Sequence, residues 1–154
     1  MRDAKHLIIV AEDNGGDTFL IREALREQKF PFAIEAVEDG ESMLSLINDL
    51  NSDEKKQCPD LIVLDLNLPK RSGEEVFTHL RNSQRCAETP VIVITSSDSP
   101  QDRERATKLR PSAYFRKPSN LDSFMEIGTL IRQVLDPHYR KEPPNGDRSQ
   151  ESKF

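Results

Sequence analysis

The stretch Leu61-Ile62-Val63-Leu64-Asp65-Leu66-Asn67-Leu68-Pro69 decides the fold of this chain. Its first four residues are apolar and mostly branched, which predicts a strand buried on both faces, as in a parallel sheet. Asp65 ends that run, and open α/β sheets carry their sites at the carboxyl ends of their strands. Asp65 is therefore a candidate site residue. Its alternative role is to cap the following turn, where aspartate is common.

Four further segments have the composition of short strands. They cover residues 6–11, 32–37, 90–95 and 112–116. Helical patterns lie between them: one from about Asp17 to Gln28, one after Asp39-Gly40, one opened by a capping box at Ser72 and Glu75, one after Ser99-Pro100, and a last one capped by Ser119. This alternation predicts an α/β protein with a doubly wound, five-stranded parallel sheet and helices on both faces.

Polar side chains follow several of the predicted strands. They are Glu12-Asp13, Asp65, Thr95 and Lys117. Right-handed crossovers bring these strand ends to one rim, where the three carboxylates would repel each other without a counter-ion. Mg²⁺ with oxygen ligands meets that need. With Lys117 as a second cation and Thr95 as a hydroxyl donor, the set predicts a phosphoryl site in which Asp65 is the nucleophile and forms an acyl phosphate.

Composition limits the possible partners and the compartment. Charged residues make up 32% of the chain and the net charge is -5, which argues against a nucleic-acid or anionic membrane surface. No apolar run approaches the roughly 18 residues of a membrane-spanning helix. Cys58 and Cys86 lie far apart in sequence with no companion ligand, so we expect two reduced thiols in a cytoplasmic protein.

The spacing of these residues resembles that of response-regulator receiver domains of two-component systems, of the chemotaxis-regulator type. Thr95 follows Asp65 by 30 residues, and Lys117 follows Thr95 by 22. Pro69 and Gly73 match the family's turn after the central strand, and Lys117-Pro118 matches its Lys-Pro pair. The resemblance covers about residues 5–135, the expected receiver domain. We expect residues 136–154 to form a flexible C-terminal tail, since they lack a periodic apolar stripe.

The resemblance implies a flavodoxin-like (βα)5 fold with strand order 2-1-3-4-5, and a role for each site residue. Asp65 would accept a phosphoryl group from a sensor histidine kinase, and Thr95 and Lys117 would hold the phosphoryl oxygens. Metal ligands would be Glu12, Asp13, Asp65 and the backbone carbonyl of Asn67. Thr95 and Tyr114 would form the switch, although Tyr114 also suits a plain packing role. The Lys117–Pro118 bond would be cis.

A narrower resemblance links the phrases VAEDNGGDTFLIREALRE, DLNLP and VITSSDSPQD to stand-alone regulators that partner phytochrome kinases. The receiver resemblance as a whole implies a signalling protein, not an enzyme by role, whose acid pair, Asp65 and metal catalyse its own phosphorylation and slow hydrolysis. Output would run through protein contacts and a homodimer that uses the last helix. The basic residues Arg103, Arg105, Lys108, Arg110 and Arg116 belong either to that output surface or to a merely solvated face.

Two alternatives to a phosphorylated receiver domain remain open. A pseudo-receiver would keep the fold as an interaction module without phosphorylation. A hydrolase of the haloacid dehalogenase type also uses a strand-end aspartate, but on the first strand with a second aspartate two residues later, where this chain has Asn67.

Arg110-Pro111 replaces the common Gly-Ala before the fifth strand, so we expect that loop to take a different course.

Overall fold

The computed structural model describes residues 5–139. Five strands form a single parallel sheet in the order β2-β1-β3-β4-β5. They are β1 (His6–Ala11), β2 (Phe32–Val37), β3 (Leu61–Asp65), β4 (Val91–Thr95) and β5 (Ala113–Arg116). This topology confirms the predicted doubly wound, flavodoxin-like α/β fold and its strand order.

The helices are α1 (Gly15–Glu27), α2 (Gly40–Ser52), α3 (Gly73–Arg81), α4 (Pro100–Leu109), α5 (Leu121–Phe124) and α6 (Ile127–Leu135). The predicted last helix is thus two segments separated by a turn, and Asn120 caps it instead of Ser119, accepting a hydrogen bond from the Ser123 N–H at 2.8 Å. The capping box of Ser72 and Glu75 is confirmed. None of the described helices is long and apolar enough to cross a bilayer.

The sheet divides the core into two layers, because alternate side chains of a strand point to opposite faces. Ile9, Ile62 and Val93 face α2, α3 and α4, whereas Ile8, Val63 and Ile92 face α1 and the last helices. Every residue of β3 and β4 is buried. The central strands therefore hold Asp65 and Thr95 on a rigid support at their carboxyl ends.

Gly73 fixes the path of the chain after Asp65. Its N–H donates to the Leu66 carbonyl at 3.0 Å, so the start of α3 returns onto the end of β3. A Cβ at this position would lie 2.6 Å from the Asp65 carbonyl oxygen, closer than any side chain tolerates. The glycine is thus required by a close backbone approach directly beneath the candidate site.

Two expectations about backbone geometry are not met. Arg110 adopts φ 55° and ψ 56° at the end of α4, so this position keeps the left-handed conformation that a glycine would adopt without strain. The expected change of course at Arg110-Pro111 is therefore wrong. No cis peptide bond occurs among residues 5–139, so the Lys117–Pro118 bond is trans and the implied cis bond is wrong as well.

The first residues of the predicted tail contact the domain. Tyr139 lies over the Arg132 guanidinium, with 4.5 Å from Cζ to the ring centroid, and its hydroxyl donates to Gln28 Oε1 at 3.4 Å. Residues 140–154 lie outside the described residues. A flexible tail that starts at residue 136 therefore stays a prediction.

Cys58 and Cys86 form a disulfide in the structure, with their Cα atoms 5.7 Å apart, so the expectation of two reduced thiols is wrong. Sequence separation hid this proximity. Cys58 precedes β3 and Cys86 follows α3, and both come to the amino end of the sheet. Arg85 holds the two loops together, because its guanidinium donates to the carbonyls of Asp53 at 2.9 Å and Lys56 at 2.8 Å.

We expect the Cys58→Ser/Cys86→Ser double variant to lose about 3–4 kcal/mol of unfolding free energy, the chain-entropy value for a loop of this size. Urea unfolding of the variant and of wild type with and without reducing agent would measure it. Reduced wild type should match the variant. Two titratable thiols in the native, unreduced protein would contradict the disulfide.

Candidate functional site

The predicted acids meet at the carboxyl ends of β1 and β3. One carboxylate oxygen each from Glu12, Asp13 and Asp65 lies within 4.8 Å of the others. Glu12 and Asp65 are buried, whereas Asp13 is exposed. The Glu12 N–H donates to the Val37 carbonyl at 2.9 Å, which continues the β1–β2 pairing and turns this side chain into the site.

Lys117 supplies the cation of this cluster. Its N–H donates to the Thr95 carbonyl at 2.8 Å, so the backbone holds it beside the end of β4. Its ammonium Nζ lies 2.5 Å from Glu12 Oε1, 2.9 Å from Asp17 Oδ2 and 3.2 Å from Asp65 Oδ2. The side chain is only 10% exposed, so these contacts are shielded from water. The Lys117 ammonium thus forms ion pairs with three carboxylates.

Asp17 is a site residue that sequence reasoning missed. It lies in the first turn of α1, where its backbone N–H donates to the Asn14 side chain at 3.0 Å. The sequence pattern marks Asp17 only as the approximate start of this helix. The available signal was an acid in the first turn of the helix that directly follows Glu12-Asp13, which places it at the same end of the sheet.

Burial and mutual charge change the acidities of the cluster. Burial raises the pKa of Glu12 to about 7, and the nearby Asp65 carboxylate acts in the same direction against the hydrogen bond from Lys117. Burial disfavours the Lys117 ammonium, but the hydrogen bonds to Glu12 and Asp17 outweigh it and raise the Lys117 pKa above its usual range. The cluster therefore keeps its cation, while Glu12 exchanges its proton near neutral pH.

Asp65 and Thr95 are fixed by short hydrogen bonds to the loops that follow them. Asp65 Oδ1 accepts from the Asn67 N–H at 2.8 Å, and Oδ2 accepts from Lys117 at 3.2 Å. The fully buried Thr95 accepts on Oγ1 from the Ser97 N–H at 3.0 Å. The Asp65 carboxylate is thus oriented from two sides, while the Thr95 hydroxyl is bound to the loop before α4.

Tyr114 is not part of the acidic cluster. It lies on β5 opposite Val93, half-buried against the core layer that faces α4, with the Arg103 guanidinium 5.9 Å from its ring centroid. The structure therefore places it behind Thr95 and under α4. A switch role for Tyr114 remains a proposal.

The basic residues of α4 and β5 are not a uniform cationic face. Arg105 pairs with Glu74 and Asp102, Lys108 with Glu104 at 3.6 Å, and Arg116 with Asp98 at 3.5 Å. Acids thus accompany these cations. The resulting surface has mixed charge.

The donor set fits a small divalent cation. Glu12, Asp13 and Asp65 offer the carboxylate oxygens that Mg²⁺ prefers. Buried Glu12 Oε1 contacts Lys117 Nζ at 2.5 Å, and Glu12 Oε2 accepts from the Asn14 N–H at 3.0 Å. Because each carboxylate oxygen can accept more than one contact, Glu12 can also serve as a cation ligand beside the two other acids.

A family model described as the response regulator receiver domain matches residues 8–128. Among curated proteins, the chain is 33% identical to the probable methanogenesis regulatory protein FilR2 of Methanothrix harundinacea over 84% of this chain and 81% of the relative. It is 28% identical to the response regulator Rcp1 of a Synechocystis species over 79% of this chain and 82% of Rcp1.

Solved structures give the same result. The phosphorylated cyanobacterial phytochrome response regulator RcpA is 30% identical, with a TM-score of 0.78 over 88% of this chain and 98% of RcpA. The Mn²⁺-bound form of Rcp1 is 25% identical, with a TM-score of 0.75 over 90% of this chain and 99% of that structure. The structural similarity thus covers most of this chain.

We expect the metal-free Glu12→Gln variant to gain stability over wild type as pH rises. Between pH 4.5 and about 7 the unfolded wild-type chain releases the Glu12 proton while the folded chain retains it, so wild-type stability falls through this window. The variant lacks that loss. The free energy of unfolding of the variant minus that of wild type should be about 2 kcal/mol larger at pH 8 than at pH 5, which means a more stable variant.

Urea unfolding in EDTA at both pH values would measure this difference. Glu35→Gln, which removes an exposed acid of β2, is the matched control and should show no such change. A Glu12→Gln variant whose stability follows wild type at both pH values would contradict the burial of an ionisable Glu12.

Proposed function

Because the chain belongs to the response regulator receiver domain family, we propose that it accepts a phosphoryl group from a histidine kinase on Asp65 and signals through protein contacts. The observation that carries the proposal is the environment of Asp65. Its buried carboxylate ends the central strand, bonds to the Lys117 ammonium and lies beside two further acids. This family membership excludes the dehalogenase-type hydrolase, and a pseudo-receiver is an outcome of the test below.

In the proposed transfer, an Asp65 oxygen attacks the phosphorus of a phosphohistidine or of a small acyl phosphate. The new O–P bond forms as the bond to the leaving group breaks, and the leaving nitrogen or oxygen takes that electron pair. Glu12, Asp13, Asp65 and the Asn67 carbonyl would hold Mg²⁺, which offsets negative charge when bound. Rcp1, whose solved structure is described as Mn²⁺-bound, supports a divalent cation here.

The residues of this chain then have distinct tasks. Lys117 bonds to the Asp65 carboxylate before transfer and contacts the phosphoryl oxygens after it. Thr95 gives up the hydrogen bond from the Ser97 N–H, turns its hydroxyl to a phosphoryl oxygen and draws the 96–99 loop toward Asp65. Tyr114 would follow inward, since it lines a cavity between β5 and the end of α4. Slow hydrolysis of the acyl phosphate by the same site resets the protein.

Narrower aspects of the proposal rest on the relatives. A phytochrome-type kinase is proposed because RcpA is described as a phytochrome response regulator. We place the protein in the cytoplasm, where two-component phosphotransfer takes place, and we propose neither nucleic acid nor membrane as a partner. The Cys58–Cys86 disulfide, which reducing compartments disfavour, is the observation against this location.

We expect acetyl phosphate with Mg²⁺ to add one phosphoryl group to the wild-type chain, because the Asp65 carboxylate is oriented and its charge is balanced. Intact-mass measurement would detect it. Asp65→Asn should abolish the addition and EDTA should suppress it. Asp98→Asn, an exposed acid on the same rim, is the control and should be phosphorylated normally.

Equal phosphorylation of wild type and Asp65→Asn would contradict the assignment of the acceptor. A wild-type chain that takes no phosphoryl group from either acetyl phosphate or a phosphorylated kinase would instead support the pseudo-receiver alternative.

We further propose a homodimer through α4, β5 and the last helix, favoured by phosphorylation. The mixed charges of this face, which include the Lys108–Glu104 and Arg116–Asp98 pairs, suit self-pairing about a two-fold axis. Movement of Thr95 and Tyr114 would reach this face through α4.

Sedimentation of the free and the beryllofluoride-treated protein should therefore show a monomer–dimer equilibrium that shifts toward the dimer on treatment. Arg116→Glu should weaken the dimer, because it places a second acid beside Asp98. A monomer under both conditions at about 100 μM, far above a micromolar dissociation constant, would contradict the dimer.

A further inference from the structure

Arg105 of α4 links the two sides of the entrance to Asp65. Its guanidinium makes a two-pronged ion pair with Glu74 in the first turn of α3 and donates to Asp102 Oδ1 at 2.5 Å. The same group donates to the Asn67 side-chain oxygen at 3.4 Å. Arg105 therefore joins α3, α4 and the loop after β3 at the rim of the site.

The opposite half of this network leads to Thr95. The Asp102 N–H donates to Ser99 Oγ at 3.1 Å, and the same oxygen accepts from the Ser97 hydroxyl at 3.2 Å. Ser97 in turn donates its N–H to Thr95. Hydrogen bonds from Ser97 and Arg105, with a smaller one from Asn67, hold the pKa of Asp102 below its usual range.

These hydrogen bonds thus connect the two strand-end residues of the site, Asp65 and Thr95, across its open side. From Asp65 the network runs through the Asn67 N–H and side chain to Arg105, on to Asp102, and back through the 96–99 loop to Thr95. The neighbouring strands β3 and β4 close it. Arg105 is the member that spans the open side.

We propose that Arg105 is a positioning residue that holds the Asn67 side chain and the 96–99 loop across the entrance to Asp65, and so lengthens the lifetime of the phosphoryl group there. This inference rests on the proposed function. Hydrolysis requires water in line with the bond to Asp65. Since the Asp65 side chain is 9% exposed, that water must enter from the rim that Arg105 and its partners cover.

We expect Arg105 to act by holding its neighbours in position and not through its positive charge. Arg105 already faces two carboxylates, Glu74 and Asp102, so its guanidinium brings little net positive charge to the site. A free cation at this point would stabilise the charge of the hydrolysis transition state and shorten the phosphoryl lifetime. A guanidinium locked between two acids restricts the entrance instead. The two modes predict opposite effects of removing Arg105.

The lifetime of phosphorylated Asp65 in Arg105→Ala, Glu74→Gln, the double variant and wild type tests the proposal. Intact-mass measurement after removal of the phosphodonor gives each decay rate. We expect decay about fivefold faster in Arg105→Ala, which corresponds to about 1 kcal/mol. Glu74→Gln should change the rate in the same direction, and the double variant should not exceed Arg105→Ala, because both break one ion pair.

Arg26→Ala is the matched control, since it removes an exposed arginine of α1 that pairs with Glu23 at 2.6 Å, away from α4. It should decay like wild type. A second readout requires no phosphorylation. In the metal-free protein, NMR signals of the Asn67 side-chain amide and the Ser97 backbone amide should shift in Arg105→Ala and stay in place in Arg26→Ala.

Slower or unchanged decay in Arg105→Ala would overturn the proposal, and so would unmoved Asn67 and Ser97 signals. A wild-type chain that takes no phosphoryl group would overturn the proposed function and the lifetime claim with it. Normal phosphorylation of all variants with equal decay would overturn the positioning role alone.

Discussion

A buried ammonium shared by three carboxylates is the constraint on which the rest of the site depends. Lys117 contacts Glu12, Asp17 and Asp65 while itself only 10% exposed. Neither the acids nor the lysine would be tolerated there alone, because an unpaired buried charge is costly. The cluster is therefore stable as a unit but is rich in negative charge, and a divalent cation or a phosphoryl group changes that balance directly.

The fold keeps this cluster rigid where chemistry requires it and adjustable where a signal must leave. β3 and β4 are buried along their length, so Asp65 and Thr95 have fixed backbones. The loop before α4, by contrast, is held by side-chain hydrogen bonds of Ser97 and Ser99. Such bonds can be exchanged at low cost, since each contributes only about 1 kcal/mol net. Rearrangement is thus directed toward α4.

Much of the fold and the site could be predicted from the sequence, because hydrophobic periodicity and the residues that cap helices or form turns are local signals. The buried strand before Asp65 and the capping box at Ser72 follow from patterns of a few residues. The meeting of Glu12 with Asp65 follows from the predicted parallel sheet, which brings the carboxyl ends of its strands to one rim. The divided last helix was missed, since its apolar stripe continues across the turn. Asp17 was missed, because its partner Lys117 is distant in sequence. Arg105 was left undecided, because its partner Glu74 lies on another helix.

The cysteine pair shows the same limit most clearly. Nothing within a few residues of Cys58 or Cys86 marks a bridge, and composition favours reduced thiols. Their proximity follows from the way Arg85 gathers the carbonyl oxygens of the loop before β3. Pairing that depends on the folded course of two loops has no local sequence signal, so the structure alone supplies it.

The central claim is that Lys117 is the resident counter-ion of the acids proposed to bind Mg²⁺. Calorimetric titration of Mg²⁺ into wild type and Lys117→Met tests it most directly, with Lys108→Met as a control for the loss of a lysine. We predict severalfold tighter Mg²⁺ binding in Lys117→Met, because the acids lose the ammonium that competes for them. Equal or weaker binding in that variant, with Lys108→Met like wild type, would contradict it.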